Sequence, residues 1–374
     1  MLRRIGSLVV KEFIHLRNDW GLPAFMILGG ACELLLVAWA TSRPITNLPL
    51  MVLDQDKTPQ SRLVIRGLEN TGTFRKAQEV NDLHTIRQAM DRGQISAALV
   101  IPPGYAAQFV SARRTSSLLM VVNGAESTPA QAARRAMQGV AQTIQQRLLL
   151  ERLGLGADEL SRFNLSVRLW FNENLSEAFY TTPAEVGLML EFTVLLFAAL
   201  AFSRERELGT IEQLLVMPFS SLEIIIGKSI PVMLIGMADF LLLLGMVHFA
   251  FGVPVRGSFP LLLVLAFGYL LVELGKGLVL SVLSRTQHQA FLLVLLVGMV
   301  DFMFTGYAAP VESMPQLLQW FANLIPAHHW LTILRGILLK GAGLEVLWPN
   351  VVALLALGAV IGTFSLRFVR KALD

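Results

Sequence analysis

Long apolar runs separated by short polar stretches make up most of this chain. Six of the runs are long enough to cross a lipid bilayer as a helix, which takes about 20 residues. They cover residues 22–40, 183–202, 224–251, 259–283, 290–309 and 346–368. A seventh run, 314–339, is interrupted by Pro315 and Pro326, so it fits a re-entrant hairpin better than a crossing. The pattern predicts an α-helical polytopic membrane protein with six transmembrane helices.

The beginning of the chain predicts two consecutive helices. Residues 1–20 place Leu8, Phe13 and Leu16 among basic residues, a pattern typical of an amphipathic helix at a membrane interface. The apolar run that follows is longer than the core of a signal peptide and is followed by no convincing cleavage site. We therefore expect a cytoplasmic interfacial helix over 1–20 and an uncleaved transmembrane helix over 21–41.

A polar region separates the first two transmembrane runs. Within it, extended patterns at 48–53, 97–101 and 118–122 alternate with helical patterns at 60–69, 83–92, 105–112 and 129–153. This alternation predicts an extracytoplasmic α/β domain over 42–182, inserted between transmembrane helices 1 and 2. Residues 183–374 then carry helices 2–6, with 310–340 as the re-entrant outer segment.

Composition and charge agree with a membrane protein and give it an orientation. Hydrophobic residues make up 54% of the chain and charged residues 16%, more apolar surface than one soluble core could hide. The net charge is +4, but the basic residues form no stripe with aromatics, so nucleic acid is not an expected partner. The short loops and ends on one side hold Arg3, Arg4, Lys11, Arg17, Arg204, Arg206, Lys228, Arg285, Arg367, Arg370 and Lys371. Basic loops face the cytoplasm, so we expect both termini there.

Six ionisable residues interrupt the apolar runs. Each costs roughly 2.5–3.5 kcal/mol on insertion scales, so each is expected to face the protein interior. They are Glu33, Glu191, Asp239, Glu273, Lys276 and Asp301. Glu273 and Lys276 lie three residues apart on one helix face and are expected to form an intramembrane ion pair. Glu191, Asp239 and Asp301, without such a neighbour, are candidates for lining a polar pathway, with interhelical hydrogen bonding as the alternative.

A charged segment, residues 204–218, lies between the second and third transmembrane runs. Folded as one helix, it places Leu208, Ile211 and Leu215 on one face and Glu205, Gly209 and Glu212 on the other. Pro218 would end that helix. Such a segment would give a soluble partner a surface to bind. The alternative is a solvated loop that only reverses the direction of the chain.

The same segment carries a family pattern. Its residues Arg204, Glu205, Glu207, Gly209, Thr210, Glu212, Leu214, Leu215 and Pro218 resemble the cytoplasmic loop of type-2 ATP-binding-cassette (ABC) transporter permeases. The resemblance continues through 226–231, 252–258, 306–315 and 325–329, and it covers the second half of the chain and most of the first. The chain is similar in particular to multidrug-type export permeases with a large outer domain. Residues 168–175 resemble that subgroup's stretch before the second transmembrane helix, with one departure: the subgroup usually has proline where this chain has Glu173.

The resemblance implies a coupling helix over 204–218 that docks on a separate ATPase. Its expected contacts are Arg204, Glu205, Glu207, Gly209, Thr210, Glu212 and Leu215. The chain itself would be no enzyme and hold no cofactor or metal, since ATP and magnesium would bind to the partner. Gly227-Lys228-Ser229 does not form a phosphate-binding loop, because Leu222 stands where the motif needs glycine.

The expected function is that of the membrane-spanning subunit of an ATP-driven exporter in the bacterial inner membrane. It would move hydrophobic drugs or lipid-like compounds outward, using cytoplasmic ABC ATPase subunits, a second copy or a related permease, and a periplasmic adaptor protein. The alternative is a membrane sensor whose outer domain binds a ligand and signals inward. An intramembrane enzyme is disfavoured, because the spans contain no His-Glu-x-x-His or Gly-x-Ser-x-Gly signature.

Overall fold

The chain forms two compact units. The computed structural model describes residues 2–42, 45–110, 117–153, 171 and 177–373. The helical unit joins Met1–Ser42 to Leu169–Asp374, and the α/β unit is Arg43–Arg168. The stretch 168–175, where Glu173 replaces the proline of the family pattern, lies outside the described ranges apart from Phe171.

The helical unit begins with α1 (Leu2–Asn18) and α2 (Gly21–Ser42). The α/β unit follows, and its described elements alternate between strands and helices as the sequence pattern predicts. They are β1 (Leu50–Asp54), α3 (Pro59–Asn70), β2 (Gln78–Glu79), α4 (Leu83–Asp91), β3 (Ala97–Ile101), α5 (Tyr105–Val110), β4 (Leu119–Val122) and α6 (Ser127–Leu153).

The strands of the α/β unit form one four-stranded sheet in the order β2-β1-β3-β4. Strand β1 is parallel to β2 and β3, and β4 is antiparallel to β3. Successive residues of β1 point to opposite faces, so Val52 packs in one apolar cluster and Leu53 in the other. The α/β character is therefore present, while the location of this unit outside the membrane stays a prediction.

The helical unit resumes after the α/β unit. Its remaining helices are α7 (Glu177–Glu207), α8 (Ile211–Val216), α9 (Ser221–Phe251), α10 (Phe259–Leu283), α11 (Gln287–Phe304), α12 (Gln316–Ala322), α13 (Pro326–Arg335) and α14 (Leu344–Leu373). Among the described residues, six helices are long and apolar enough to cross a membrane: α2, α7, α9, α10, α11 and α14. This confirms a multi-pass helical membrane protein.

Helix α7 is the central helix of this unit and packs against α2, α9, α10 and α11. Its approach to α10 is close because Gly277 has no side chain, and a Cβ built there would lie 2.5 Å from the Cβ of Ala198. The backbone N–H groups of Phe202 and Ser203 also donate to the Ser281 hydroxyl, at 2.8 and 3.2 Å. Side-chain and backbone contacts thus lock α7 against α10.

The start of helix α7 and the segment 310–340 bear on two predicted boundaries. Helix α7 starts at Glu177, so 177–182 belong to the helical unit and the predicted domain end at 182 is wrong. The predicted apolar run began at residue 183, whereas Pro183 lies nearly two turns inside the helix. The segment 310–340 is broken at Pro315 and Pro326, with α12 following Pro315 and α13 starting at Pro326. Its re-entry into the membrane stays a prediction.

Candidate functional site

The segment 204–218 is not one helix. Helix α7 ends at Glu207, Gly209 has a φ of +69°, and the short helix α8 follows. The N–H of Thr210 donates to the carbonyl of Glu205 and that of Gly209 to the carbonyl of Arg206, at 2.9 and 3.2 Å. This is the Schellman arrangement that ends a helix at a glycine. The prediction of a continuous helix was wrong because the glycine was read as a surface position rather than as a helix end.

Glu205 faces inward rather than toward a partner. The residue is 4% exposed, and its Oε1 lies 2.9 Å from the ammonium of Lys11 and 3.0 Å from that of Lys228. The Thr210 hydroxyl donates to the other carboxylate oxygen. Lys228 also pairs with Glu12 at 2.7 Å. Glu205 therefore joins α1, α7 and α9, and its expected role as a direct contact of the ATPase is not supported by this geometry.

The other charged residues at this end of α7 also have partners within the chain. Arg204 pairs with Asp19 at 3.0 Å. Arg206 donates to the carbonyls of Val282 and Ser284, both at 2.8 Å, at the end of α10. The carboxylate of Glu207 accepts from the backbone N–H of Gln287 at 2.6 Å, at the start of α11. The contacts of Arg206 and Glu207 fasten the end of α7 to the loop between α10 and α11, and the Arg204 pair joins it to the connection between α1 and α2.

An exposed tip remains beyond these contacts, formed by Leu208, Glu212, Gln213, Val216 and Met217. Leu208 is 60% exposed and Val216 is 87% exposed. Glu212 is exposed, and its side chain has no ion pair with any residue in the described part of the chain. The far side of the tip is held by Arg4, which donates to the carbonyl of Pro218 at 2.8 Å.

Leu215 belongs to α8, but its side chain lies outside the described part of the structure. Lys228, of the Gly-Lys-Ser sequence, lies inside α9 with its ammonium in ion pairs, so this sequence is part of a packed helix. In the ranges that the structure describes, no group of His, Cys, Asp and Glu side chains has the geometry of a metal site.

A second set of charges is buried between α7, α10 and α11. The ammonium of Lys276 lies 2.8 Å from Glu273 Oε2, 3.0 Å from Glu191 Oε1 and 2.5 Å from Asp301 Oδ2. The side chains of Glu191 and Glu273 are fully buried, and that of Asp301 is 8% exposed. The predicted ion pair of Glu273 and Lys276 is thus present. Glu191 and Asp301 were expected to have no basic neighbour, but both pair with Lys276. One lysine holds three carboxylates from three helices.

Asp239 is separate from this cluster. It lies on α9, is 1% exposed and is next to Thr193 of α7. No ion pair to Asp239 occurs among the described residues. Three carboxylates were expected to line a pathway. Two of them, Glu191 and Asp301, connect helices through Lys276, whereas Asp239 has no basic partner among the described residues.

Sequence comparisons agree with the membrane architecture. The family model for ABC-2 family transporter proteins matches residues 20–367. The chain is 29% identical to the probable multidrug ABC transporter permease YbhR of Escherichia coli (strain K12), over 99% of both chains. It is 26% identical to the inner membrane transport permease YhhJ of that strain, over 100% of this chain and 98% of the relative. It is also 30% identical to the probable multidrug ABC transporter permease YbhS, over 95% of this chain and 93% of the relative.

Proposed function

The chain belongs to the ABC-2 family of transporter proteins, and from this membership we propose that it is the permease subunit of an ATP-driven exporter. In this proposal it moves a hydrophobic or lipid-like substrate outward across the inner membrane of a bacterium. Separate ABC ATPase subunits bind and hydrolyse ATP. The names of YbhR and YbhS as multidrug permeases, and of YhhJ as an inner membrane permease, support this setting.

The exposed tip is the observation that carries the proposal. Its apolar residues and Glu212 face solvent, although the loop around them is held by many contacts. An apolar patch with one charge suits a protein partner better than it suits water. We assign the docking contacts with the ATPase to Leu208, Glu212 and Val216. Leu215, on the same short helix, stays a predicted contact.

The charged residues beside the tip would pass motion from the ATPase to the transmembrane helices. Glu205 links the end of α7 to α1 and α9 through Lys11 and Lys228. Arg206 and Glu207 link it to α10 and α11. Packed elements with such contacts move together rather than deform. Displacement of the tip would therefore move several transmembrane helices at once.

The remaining parts of the proposed assembly rest on family membership. A second copy or a related permease would complete the pathway, and Asp239 is the best-placed carboxylate to line it. Glu191 and Asp301 would hold α7 against α10 and α11 through Lys276. A periplasmic adaptor would bind the α/β unit.

The test is ATP-driven transport by the chain reconstituted with its ATPase in proteoliposomes. Glu212→Ala should retain the thermal stability of the wild type but lower ATP-dependent transport and retention of the ATPase by about tenfold or more. Gln213→Ala, an exposed neighbour on the same short helix, is the matched control and should behave as the wild type. Normal transport by Glu212→Ala would contradict the assigned contact, and transport without any ATPase would contradict the proposed function.

A further inference from the structure

The buried cluster around Lys276 contains more acid than base. The carboxylates of Glu191, Glu273 and Asp301 all contact its ammonium, at 3.0, 2.8 and 2.5 Å. If every group were ionised, three negative charges would face one positive charge between α7, α10 and α11. The side chains of Glu191 and Glu273 are fully buried and that of Asp301 is 8% exposed, so water screens the excess charge little. An uncompensated charge is costly in such a place, and a carboxyl group there takes up a proton instead.

Two of these residues, Glu191 and Asp301, lie next to each other, and we call them the acid pair. Glu191 Oε1 and Asp301 Oδ2 both accept from the ammonium of Lys276. The two carboxyl groups also lie within hydrogen-bond distance of each other. The second oxygen of Glu191, Oε2, is buried and accepts from no donor among the described residues. Two ionised carboxylates repel each other at that distance, whereas one proton between them makes an O–H···O⁻ hydrogen bond.

Lys276 is the one base that faces the acid pair in the described part of the chain. The other titratable groups facing the pair are Glu273 and Tyr269, which also belong to α10. On the far side of Tyr269, Trp330 of α13 stacks on its ring with the centroids 5.0 Å apart. The nearest ionisable group of α9 within the bundle, Asp239, is itself an acid. The surroundings therefore add negative charge and aromatic surface, but no second positive charge.

Two bases of α13 lie near the end of α11 without reaching the acid pair. Arg335 donates to the carbonyl of Gly306 at 3.3 Å, and Nδ1 of His328 lies 3.3 Å from the carbonyl of Thr305. The acidic side chain whose charge acts on both bases is that of Glu312. Neither base contacts a carboxylate of the cluster among the described residues.

A metal ion fits this place poorly. Three of the six carboxylate oxygens of the cluster already contact Lys276, whose ammonium repels any second cation placed beside it. A divalent metal ion in an oxygen site takes six or more ligands. Helices α7 and α11 are also close together here, since a Cβ on Gly298 would overlap the ring of Phe192. A proton needs neither ligands nor space.

We propose that the acid pair is a proton-binding site, in which one proton shared between Glu191 and Asp301 ties α7 to α11. Asp301 is the partly exposed member and exchanges the proton with water. The inference goes beyond the proposed function and does not depend on it, because the proton belongs to the packed chain. In an exporter, a movement of α11 away from α7 would split the acid pair and release the proton, so the transport step would depend on pH.

Infrared difference spectroscopy of the purified full-length chain measures this proton, because a protonated carboxyl group has a C=O band that an ionised one lacks. Asp301→Asn should remove one protonated carboxyl group at neutral pH, since the amide introduced there donates to Glu191 and leaves it ionised. Glu191→Gln should do the same by donating to Asp301. The double variant should remove no more than either single variant, as one shared proton requires. Glu345→Gln, at an exposed position at the start of α14, is the control and should remove none.

The melting temperature of Asp301→Asn gives a second readout. This variant has the net charge that the wild type has with one shared proton, so it should melt close to the wild type at neutral pH. Asp301→Ala, which provides neither a proton nor a donor, should melt lower. A shared proton stabilises the folded chain until the pH rises far enough to remove it. From about pH 7 to about pH 9.5 the melting temperature should therefore fall more in the wild type than in Asp301→Asn.

Three results would overturn the proposal. One is that neither single variant removes a protonated carboxyl group, which would mean that both carboxylates are ionised. Another is that the double variant removes two, which would mean that each residue has its own proton. The third is a melting temperature that sodium chloride raises more than choline chloride in the wild type but not in Asp301→Asn, which would make a sodium ion the ligand. If Glu191→Gln does not fold, an equal pH dependence of melting in the wild type and Asp301→Asn still rejects the shared proton.

Discussion

Replacing Lys228 with methionine tests whether buried charges hold the tip to the transmembrane helices. The ammonium of Lys228 lies 2.7 Å from Glu12 and 3.0 Å from Glu205, and its side chain is 1% exposed. Lys228→Met removes one of the two bases that neutralise Glu205. Lys11 remains at 2.9 Å, with 33% of its side chain exposed.

The expected size of the effect follows from the burial of each partner. Removing one member of a buried ion pair costs about 3–5 kcal/mol, because the remaining charge is stranded. The side chain of Glu12 is 18% exposed and can reach water, and Glu205 keeps Lys11, so the lower end applies. We expect Lys228→Met to lower the free energy of unfolding by about 3 kcal/mol. Adding Glu205→Gln removes the carboxylate that has lost one of its two bases. The double variant should therefore recover about 1–2 kcal/mol of the free energy of unfolding.

Reversible unfolding in mixed detergent micelles, followed by tryptophan fluorescence, measures these differences. Lys371→Met, at an exposed position near the end of α14, is the matched control and should change stability by less than about 0.5 kcal/mol. If Lys228→Met unfolds like the wild type, the network contributes nothing to stability. If the free energy of unfolding lost in the double variant equals the sum of the losses in Lys228→Met and Glu205→Gln, the two residues are not coupled.

Three further changes have defined outcomes. Gly209→Ala should destabilise the end of α7 by about 1–2 kcal/mol because φ is +69°, and Gly209→Asn by less, as the melting temperatures of the two variants will show. Lys276→Met leaves three carboxylates without a base and should lower the melting temperature more than Glu273→Gln, which leaves the lysine paired. The hydroxyl of Thr58 donates to Asp56 and holds the pKa of this carboxyl below its usual 3.8. The carboxylate therefore stabilises the α/β unit above pH 3.8, and this stabilisation is lost as the pH falls through the lowered pKa. Hydrogen exchange of the full chain from about pH 6 to about pH 3 should show a smaller loss of protection in Asp56→Asn than in the wild type.

The sequence predicted the features that local patterns determine. Six apolar runs became six long helices, and α3, predicted over 60–69, extends over Pro59–Asn70. The length of a span and the period of a helix are properties of neighbouring residues, so they can be read without tertiary contacts. The end of α7 at Gly209 was also readable, because glycine within a helical pattern is a common stop signal.

The partners of the charged residues could not be predicted in the same way. Lys11 and Glu205 are separated by 194 positions, and Lys276 and Glu191 by 85. Which helix faces which, and at what depth, is set by packing such as the close approach at Gly277. Only the pair of Glu273 and Lys276, three residues apart on one helix, was visible in the sequence. For that reason Glu205 was expected to face a partner, whereas it is buried.

In the proposed function, the exposed tip faces the cytoplasm and binds an ATPase. Introducing Gln213→Cys into a Cys32→Ser chain places a single thiol at the exposed tip for labelling with a membrane-impermeant maleimide and keeps the Glu212 contact. We expect no labelling in intact cells, labelling in inside-out vesicles stripped of the ATPase, and protection when the ATPase is added back. Labelling from outside intact cells, or equal labelling with and without the ATPase, would contradict it.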